Sequence, residues 1–543
     1  MEQPNATTLR TIFQSWISED KMKDLKVLEL ELLEGHELPD LFLQQVLEGI
    51  PNKVPPSVKF TTDMSNAIFE EMSRCNLLDE ESLKSICRID QFQLDRIDLT
   101  GLEISVGDLE QFRQQNLVSL RLRNFQNSSG EYLVRVNVSY STCYPSCLEM
   151  DASEVLHSTL NPISYQQLQH LDISGNGPLN VTWVAENFPS LESLSIAGRM
   201  TTNETFAFIG STLSQLRTLN IFSTGITDIS PISNLKNLEV LVMYNVKIST
   251  GNVAMLASLT KLRALDISRN WDEETISEHD SNSKLAMGIF NESLNAIGSG
   301  TATPWPELRT IEMSGLFITT LSIETVRDFV YTVAAAHPNF ERFGLLNSAL
   351  NSNVVEVNRR NISIINNTSQ GSLNVALSYY INLDRPMFIR KILMSLYRRL
   401  ESQYDEYSPE ESEECFSLVS LAMQNYLDNI RIQIAATCCL SKYCETAAQL
   451  SLARITTTDK YIKHLVPLMD KYLKIDEFQM LEFIVDVVWN LSSEHLAAFP
   501  AFVKTGGIEI SVQILQKVKN IGIQRKVLAL LIDLFEKAER PLQ

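Results

Sequence analysis

The stretch "TLSQLRTLNIFSTGITDISPISNLKNLEVLVM", residues 212–243, contains two copies of the pattern L-x-x-L-x-L, at Leu216/Leu219/Ile221 and Leu238/Leu241/Met243. Alternating apolar positions make each copy a short strand with one buried face. One strand cannot bury that face alone, so copies must stack side by side and share a core. Working outward, the template recurs at Leu94/Ile97/Leu99, Leu117/Leu120/Leu122, Leu168/Leu171/Ile173 and Leu191/Leu194/Ile196 on one side. On the other side it recurs at Leu262/Leu265/Ile267, Leu308/Ile311/Met313 and Phe340/Phe343/Leu345. Nine copies exceed chance.

Between Leu168 and Leu262 the steps are 23, 25, 22 and 24 residues, within the range of leucine-rich repeats. The expected architecture is an α/β leucine-rich-repeat solenoid over residues 91–350. The long intervals 122–168 and 267–308 imply insertions, the second carrying a polar, acidic loop, "SRNWDEETISEHDSNSK". Residues 1–90 read as a short helical N-terminal region. Leu9, Ile12, Phe13, Trp16 and Ile17 form an amphipathic stripe, a second helix follows Leu38-Pro39, and a third starts at "TTDMSNAIFEEM".

After an Asn/Ser-rich junction at 351–372, strand alternation gives way to helical stripes over 373–543. They are "FIRKILMSLYRRL", "CFSLVSLAMQNYL", "IRIQIAATCCLSKYC", "YIKHLVPLMDKYL", "MLEFIVDVVWNLS", "GIEISVQILQKV" and "QRKVLALLIDLFEKA". Helix following helix across short loops predicts an all-α, armadillo-type solenoid. Its last stripe looks apolar and uncapped, which raises self-association over an open C-terminal end as an expectation.

Composition narrows the function. The 543 residues include 44% apolar and 21% charged residues, with a formal charge of −20. That balance supports packed cores and disfavours a nucleic-acid backbone as ligand. Eight irregularly spaced cysteines fit a reducing compartment, and no signal peptide or membrane span is legible, so a cytoplasmic or nuclear location is expected. Cys143 and Cys147 lack further metal ligands nearby, and no phosphate loop, nucleophile elbow or zinc-helix motif occurs. The expectation is a binding protein without catalysis, metal or cofactor.

The order helical start, leucine-rich repeats, armadillo repeats resembles the Zyg-eleven/Zer family of substrate receptors for cullin-two RING ubiquitin ligases. The segments that carry the resemblance are "FGLLNSALNS", "FIRKILMSLYRRL", "VVWNLSSE", "FVKTGGIEISVQIL" and "QRKVLALLIDLFE". It implies two surfaces. The first docks elongin B/C and cullin-two, through Leu9 and through Leu38-Pro39 with Phe42 and Val46; Phe13 stands where the family has cysteine. The second holds the free N-terminus of a glycine-starting substrate, and maps onto Trp489, Asn490, Ser493, Asp533 and Glu536. Ser493 replaces an Asp and Asp533 an Asn, so the formal charge of the pocket is unchanged while its acid has crossed the cleft. Two alternatives stay open. Trp489 also reads as a core aromatic, and the chain also reads as a regulatory or decoy scaffold without ligase docking.

Overall fold

The computed structural model describes residues 61–74, 78, 83, 87, 92–100, 109–122, 152–175, 181–199, 201–249, 253–270, 281–316, 323–346, 362–366, 370–402, 409–426, 429–449, 458–474, 476, 478–494 and 498–538. The docking residues Leu9, Phe13, Leu38, Pro39, Phe42 and Val46 lie outside them. Two compact units divide at β9 (Arg342–Gly344).

The first unit opens with α1 (Thr62–Arg74) and continues in three-residue strands. These are β1 (Arg96–Asp98), β2 (Ser119–Arg121), β3 (His170–Asp172), β4 (Ser193–Ser195), β5 (Thr218–Asn220), β6 (Val240–Val242), β7 (Ala264–Asp266) and β8 (Thr310–Glu312). All pair in parallel in chain order, with the central residues in register: Ile97, Leu120, Leu171, Leu194, Leu219, Leu241, Leu265 and Ile311. Every copy of the sequence template supplies one strand, and each central side chain is buried. At several strand ends a carboxylate or amide turns the chain by accepting the N–H two residues on, as Asp172 does from Ser174 at 3.0 Å and Asp266 from Ser268 at 3.0 Å. Such side chains occupy donors that the short strand leaves unpaired.

Helices cross between strands: α2 (Ala152–Thr159), α3 (Pro162–Gln167), α4 (Val181–Asn187), α5 (Asn203–Thr212), α6 (Ser281–Ser299) and α7 (Ile323–Ala336). The second insertion holds a 19-residue helix from Ser281, so the last four residues of the expected polar loop are helical, while 271–280 lie outside the described residues. Its inner face buries Asn282, Ser283 and Ser293 beside Leu285 and Ile289. Ser293 donates to the carbonyl of Ile289 at 2.8 Å, which satisfies a hydroxyl that hydrophobic periodicity counts as surface.

The second unit contains a strand that the junction reading did not, β10 (Ser363–Ile365), whose Ile365 carbonyl accepts from Leu345 N–H. Nine helices follow among the described residues: α8 (Gln370–Asn382), α9 (Pro386–Ser402), α10 (Pro409–Asn425), α11 (Ile430–Gln449), α12 (Thr458–Lys474), α13 (Phe478–Glu494), α14 (Ala498–Lys504), α15 (Gly507–Lys517) and α16 (Ile521–Ala538). They form two layers. In one, α9 packs on α11, α11 on α13, and α13 on α16; α8, α10, α12, α14 and α15 back them. The double glycine before α15 has a steric cause. Gly506 adopts φ +79°, and a Cβ on Gly507 would stand 2.6 Å from the Phe502 ring.

Gly507→Ala should therefore overpack the α14–α15 corner and cost about 1–3 kcal/mol. Gly298→Ala, with nothing within 4 Å of the added carbon, should be neutral or stabilising by up to about 1 kcal/mol. Urea unfolding midpoints of the two variants would separate them.

Candidate functional site

The site is built on the pair α13 and α16. An apolar stripe orients α13: the helix buries Leu481, Ile484, Val485, Val487 and Val488, which leaves Glu482, Asp486, Trp489 and Asn490 on the opposite arc. On α16, Ile523, Val527, Leu530 and Leu534 are buried, which turns Lys526 and Asp533 toward α13 and leaves Glu536 exposed.

Trp489 is half-buried, and its indole Nε1–H donates to Asp533 Oδ2 at 2.6 Å. The aromatic is thus neither sealed in the core nor free to rotate: one edge is tied to a carboxylate, and part of its surface reaches solvent. A charge-assisted bond of this length fixes the ring and leaves Oδ1 of Asp533 available as an acceptor. Asn490, half-buried, is the next residue on α13, and Glu536 lies three residues beyond Asp533, one helical turn along the same helix. Ser493 belongs to α13, but its side chain lies outside the described residues.

Sequence reasoning missed a second element of the same interface. Lys526 Nζ lies 2.6 Å from Asp486 Oδ2 and 2.9 Å from Glu482 Oε1. Burial pulls this ammonium's pKa down, but hydrogen bonds and charge from the two carboxylates outweigh burial and hold it above the ordinary lysine value. The signal was present: Glu482 and Asp486 stand four apart on one helix face, where like charges repel unless a cation comes from a neighbour. The arrangement supplies fixed acceptors, an aromatic wall and an amide, which suits a cationic group presented with a peptide backbone.

Nucleophilic chemistry finds no support at the buried thiols. Cys439 donates to the Leu393 carbonyl at 3.0 Å, and burial pushes its pKa well up, so it sits in the core as a neutral thiol. Among the described residues no group of three or more His, Cys, Asp or Glu is placed to hold a metal ion, and no helix is long and apolar enough to cross a membrane.

These features define a leucine-rich-repeat protein joined to an armadillo-type helical array. Residues 207–287 match the family model described as "Zer-1-like, Leucine-rich repeats". Gastrulation-defective protein 3 of Caenorhabditis elegans is 24% identical over 303 residues, covering 54% of this chain and 38% of that protein. The human protein zer-1 homolog is 27% identical over 247 residues, covering 45% of this chain and 30% of the relative. A solved internalin from Listeria monocytogenes is 14% identical, covering 57% of this chain and 90% of its own, with a TM-score of 0.28. The chain is thus similar in its repeat region to Zer-1-like leucine-rich-repeat proteins, and the matched stretch spans less than two-fifths of either relative.

Because the Lys526 pKa is raised on folding, its contribution is present below about pH 10.5 and fades as pH climbs through the folded value. Lys526→Met should cost up to about 1 kcal/mol at neutral pH, screened by its partial exposure. Chemical denaturation in a pH series should show the gap between variant and parent closing above the lysine range; a gap independent of pH would contradict the ion-pair account.

Proposed function

We propose that this chain is a non-catalytic substrate receptor of a cullin-RING ubiquitin ligase, and that it grips the unblocked N-terminus of proteins whose first residue is small, glycine above all. The observation that carries the reading is the half-exposed indole of Trp489 locked onto Asp533. An α-ammonium needs a counter-charge and oriented acceptors, and the free oxygen of Asp533 together with Glu536 supplies both. The indole face packs against the first Cα and leaves little room for a side chain there, while Asn490 can pair with the first peptide group. Ser493 keeps an acceptor without charge where the family places an acid, so in this chain the negative charge comes from α16.

Ligase assembly is assigned to the N-terminal segment, with Leu9 entering elongin B/C and Leu38-Pro39, Phe42 and Val46 meeting cullin-two. Phe13, a ring at a position sized for a thiol, favours a second reading in which the chain occupies protein partners as a decoy and recruits no ligase. The protein acts where elongin and cullin are found, in cytoplasm or nucleus.

Two measurements test this. In co-purification, stoichiometric recovery of elongin B/C and cullin-two, lost in a Leu9→Ala/Pro39→Ala variant, supports the receptor; no recovery from the parent chain supports the decoy. In peptide binding, acetylating a glycine N-terminus should weaken affinity by roughly tenfold to a hundredfold, the value of one charged hydrogen bond. Trp489→Ala should abolish the difference between free and acetylated peptide. Equal binding of both by the parent chain would remove amine capture.

A further inference from the structure

Helix α16 carries two apolar faces. Ile523, Val527, Leu530 and Leu534 are buried, and Lys526 and Asp533 reach side chains of α13. On the arc opposite the buried face stand Ile521, Leu528, Ile532 and Phe535, between 47% and 63% exposed. Together with Arg525, also exposed, they recur at steps of 4, 3, 4 and 3 residues. That is the spacing of a coiled-coil seam. A surface helix ordinarily turns one stripe to the core and a polar arc to water, so a second stripe calls for a second partner. Its end is already positioned: Phe499 of α14 braces the Phe535 ring edge-on, with centroids 6.2 Å apart.

We infer that this arc is a self-association surface, on which the α16 helices of two copies of the chain pair antiparallel. Symmetry and charge select that occupant. With the two-fold axis at the level of Leu530, Leu528 of each copy meets Ile532 of the other. Arg525 of each then lies across from Phe535 of the other, one residue from its Glu536. One patch thus serves both partners, as a two-fold interface requires. The guanidinium gains a ring face and a carboxylate. In a parallel pair Arg525 would meet Arg525 in the seam, like charge on like. A helix of another protein would have to present the same hydrocarbon and acid at the same levels, which α16 already does. The four layers cover roughly 15 Å of helix, so the pair is weak and reversible. The inference needs no part of the terminus-binding reading and shares only Glu536 with it.

The test is the mass of the full chain in sedimentation equilibrium across a concentration series, with no peptide present. The mass should rise from one chain toward two and stop there. Leu528→Gln/Ile532→Gln, changed at exposed positions only, should weaken association by at least about tenfold while leaving the urea midpoint near the parent's. Arg525→Glu sets acid against acid and should weaken it by roughly tenfold. Arg525→Glu/Glu536→Arg should restore it, since the exchange returns opposite charges to the same levels only in the antiparallel pair. A single mass at every concentration, growth beyond two chains, undiminished pairing of the Arg525→Glu chain, or no rescue by the double exchange overturns the inference. The parent series and the charge exchange decide even if the Gln variant proves unstable. Because the readout is mass alone, failure here leaves the terminus reading standing, and failure of that reading leaves this one.

Discussion

The short bond from the Trp489 indole to the Asp533 carboxylate joins residues 44 positions apart on two neighbouring helices, 2.6 Å from donor to acceptor. It sets where the aromatic wall stands, which oxygen of Asp533 remains open, and the register of α16 along α13. Two turns toward the helix starts, Lys526 repeats the fastening with Asp486 and Glu482. Such lateral polar contacts are individually modest when half-exposed. Their role follows from direction. Apolar burial, as of Val485 and Val488 on α13 and Val527 and Leu530 on α16, tolerates sliding, whereas a charged hydrogen bond fails within an ångström of its optimum.

This division of labour explains the residue types. Apolar burial holds the layers together and fixes little about geometry; the polar pairs on the outer rim fix geometry and hold the layers weakly. An acid at 533 on α16 is what tethers the indole of α13. An asparagine at 533 would offer Trp489 only a neutral oxygen. The carboxylate orients the indole and still presents a second oxygen as an acceptor.

The repeat array was legible because its signal is local: three apolar positions within six residues, recurring at 22–25 residues between Leu168 and Leu262, and each copy found its strand. What escaped was structure whose cohesion is polar or distant. Helix α6 hid because Asn282, Ser283 and Ser293 occupy inner positions, where period counting expects hydrocarbon. Strand β10 is three residues among Asn and Ser. Helix α14 has only seven residues, too few to show a period. At the site, periodicity could place Trp489 on a helix but not tell its face, since Val487 and Val488 beside it are fully buried. Asp533 came from family resemblance; for Lys526 the paired acids Glu482 and Asp486 call for a cation, but nothing local says that it stands 40 residues beyond Asp486.

The double glycine at 506–507 shows how such a layer is kept in place at a distance. Gly506 turns the chain through a left-handed conformation, and Gly507 lies against the Phe502 ring, which lets α14 and α15 fold back on one another. Lys517, at the end of α15, then donates to the carbonyl of Leu473 at 2.8 Å and reaches Asp476 at 3.0 Å, fastening the outer layer to the loop that starts α13. The helix bearing Trp489 is therefore held at its start from the outer layer and along its length by α16. Trp489 and Asn490 thus sit on a helix gripped from both sides, the kind of support that keeps side chains ordered before any contact is made.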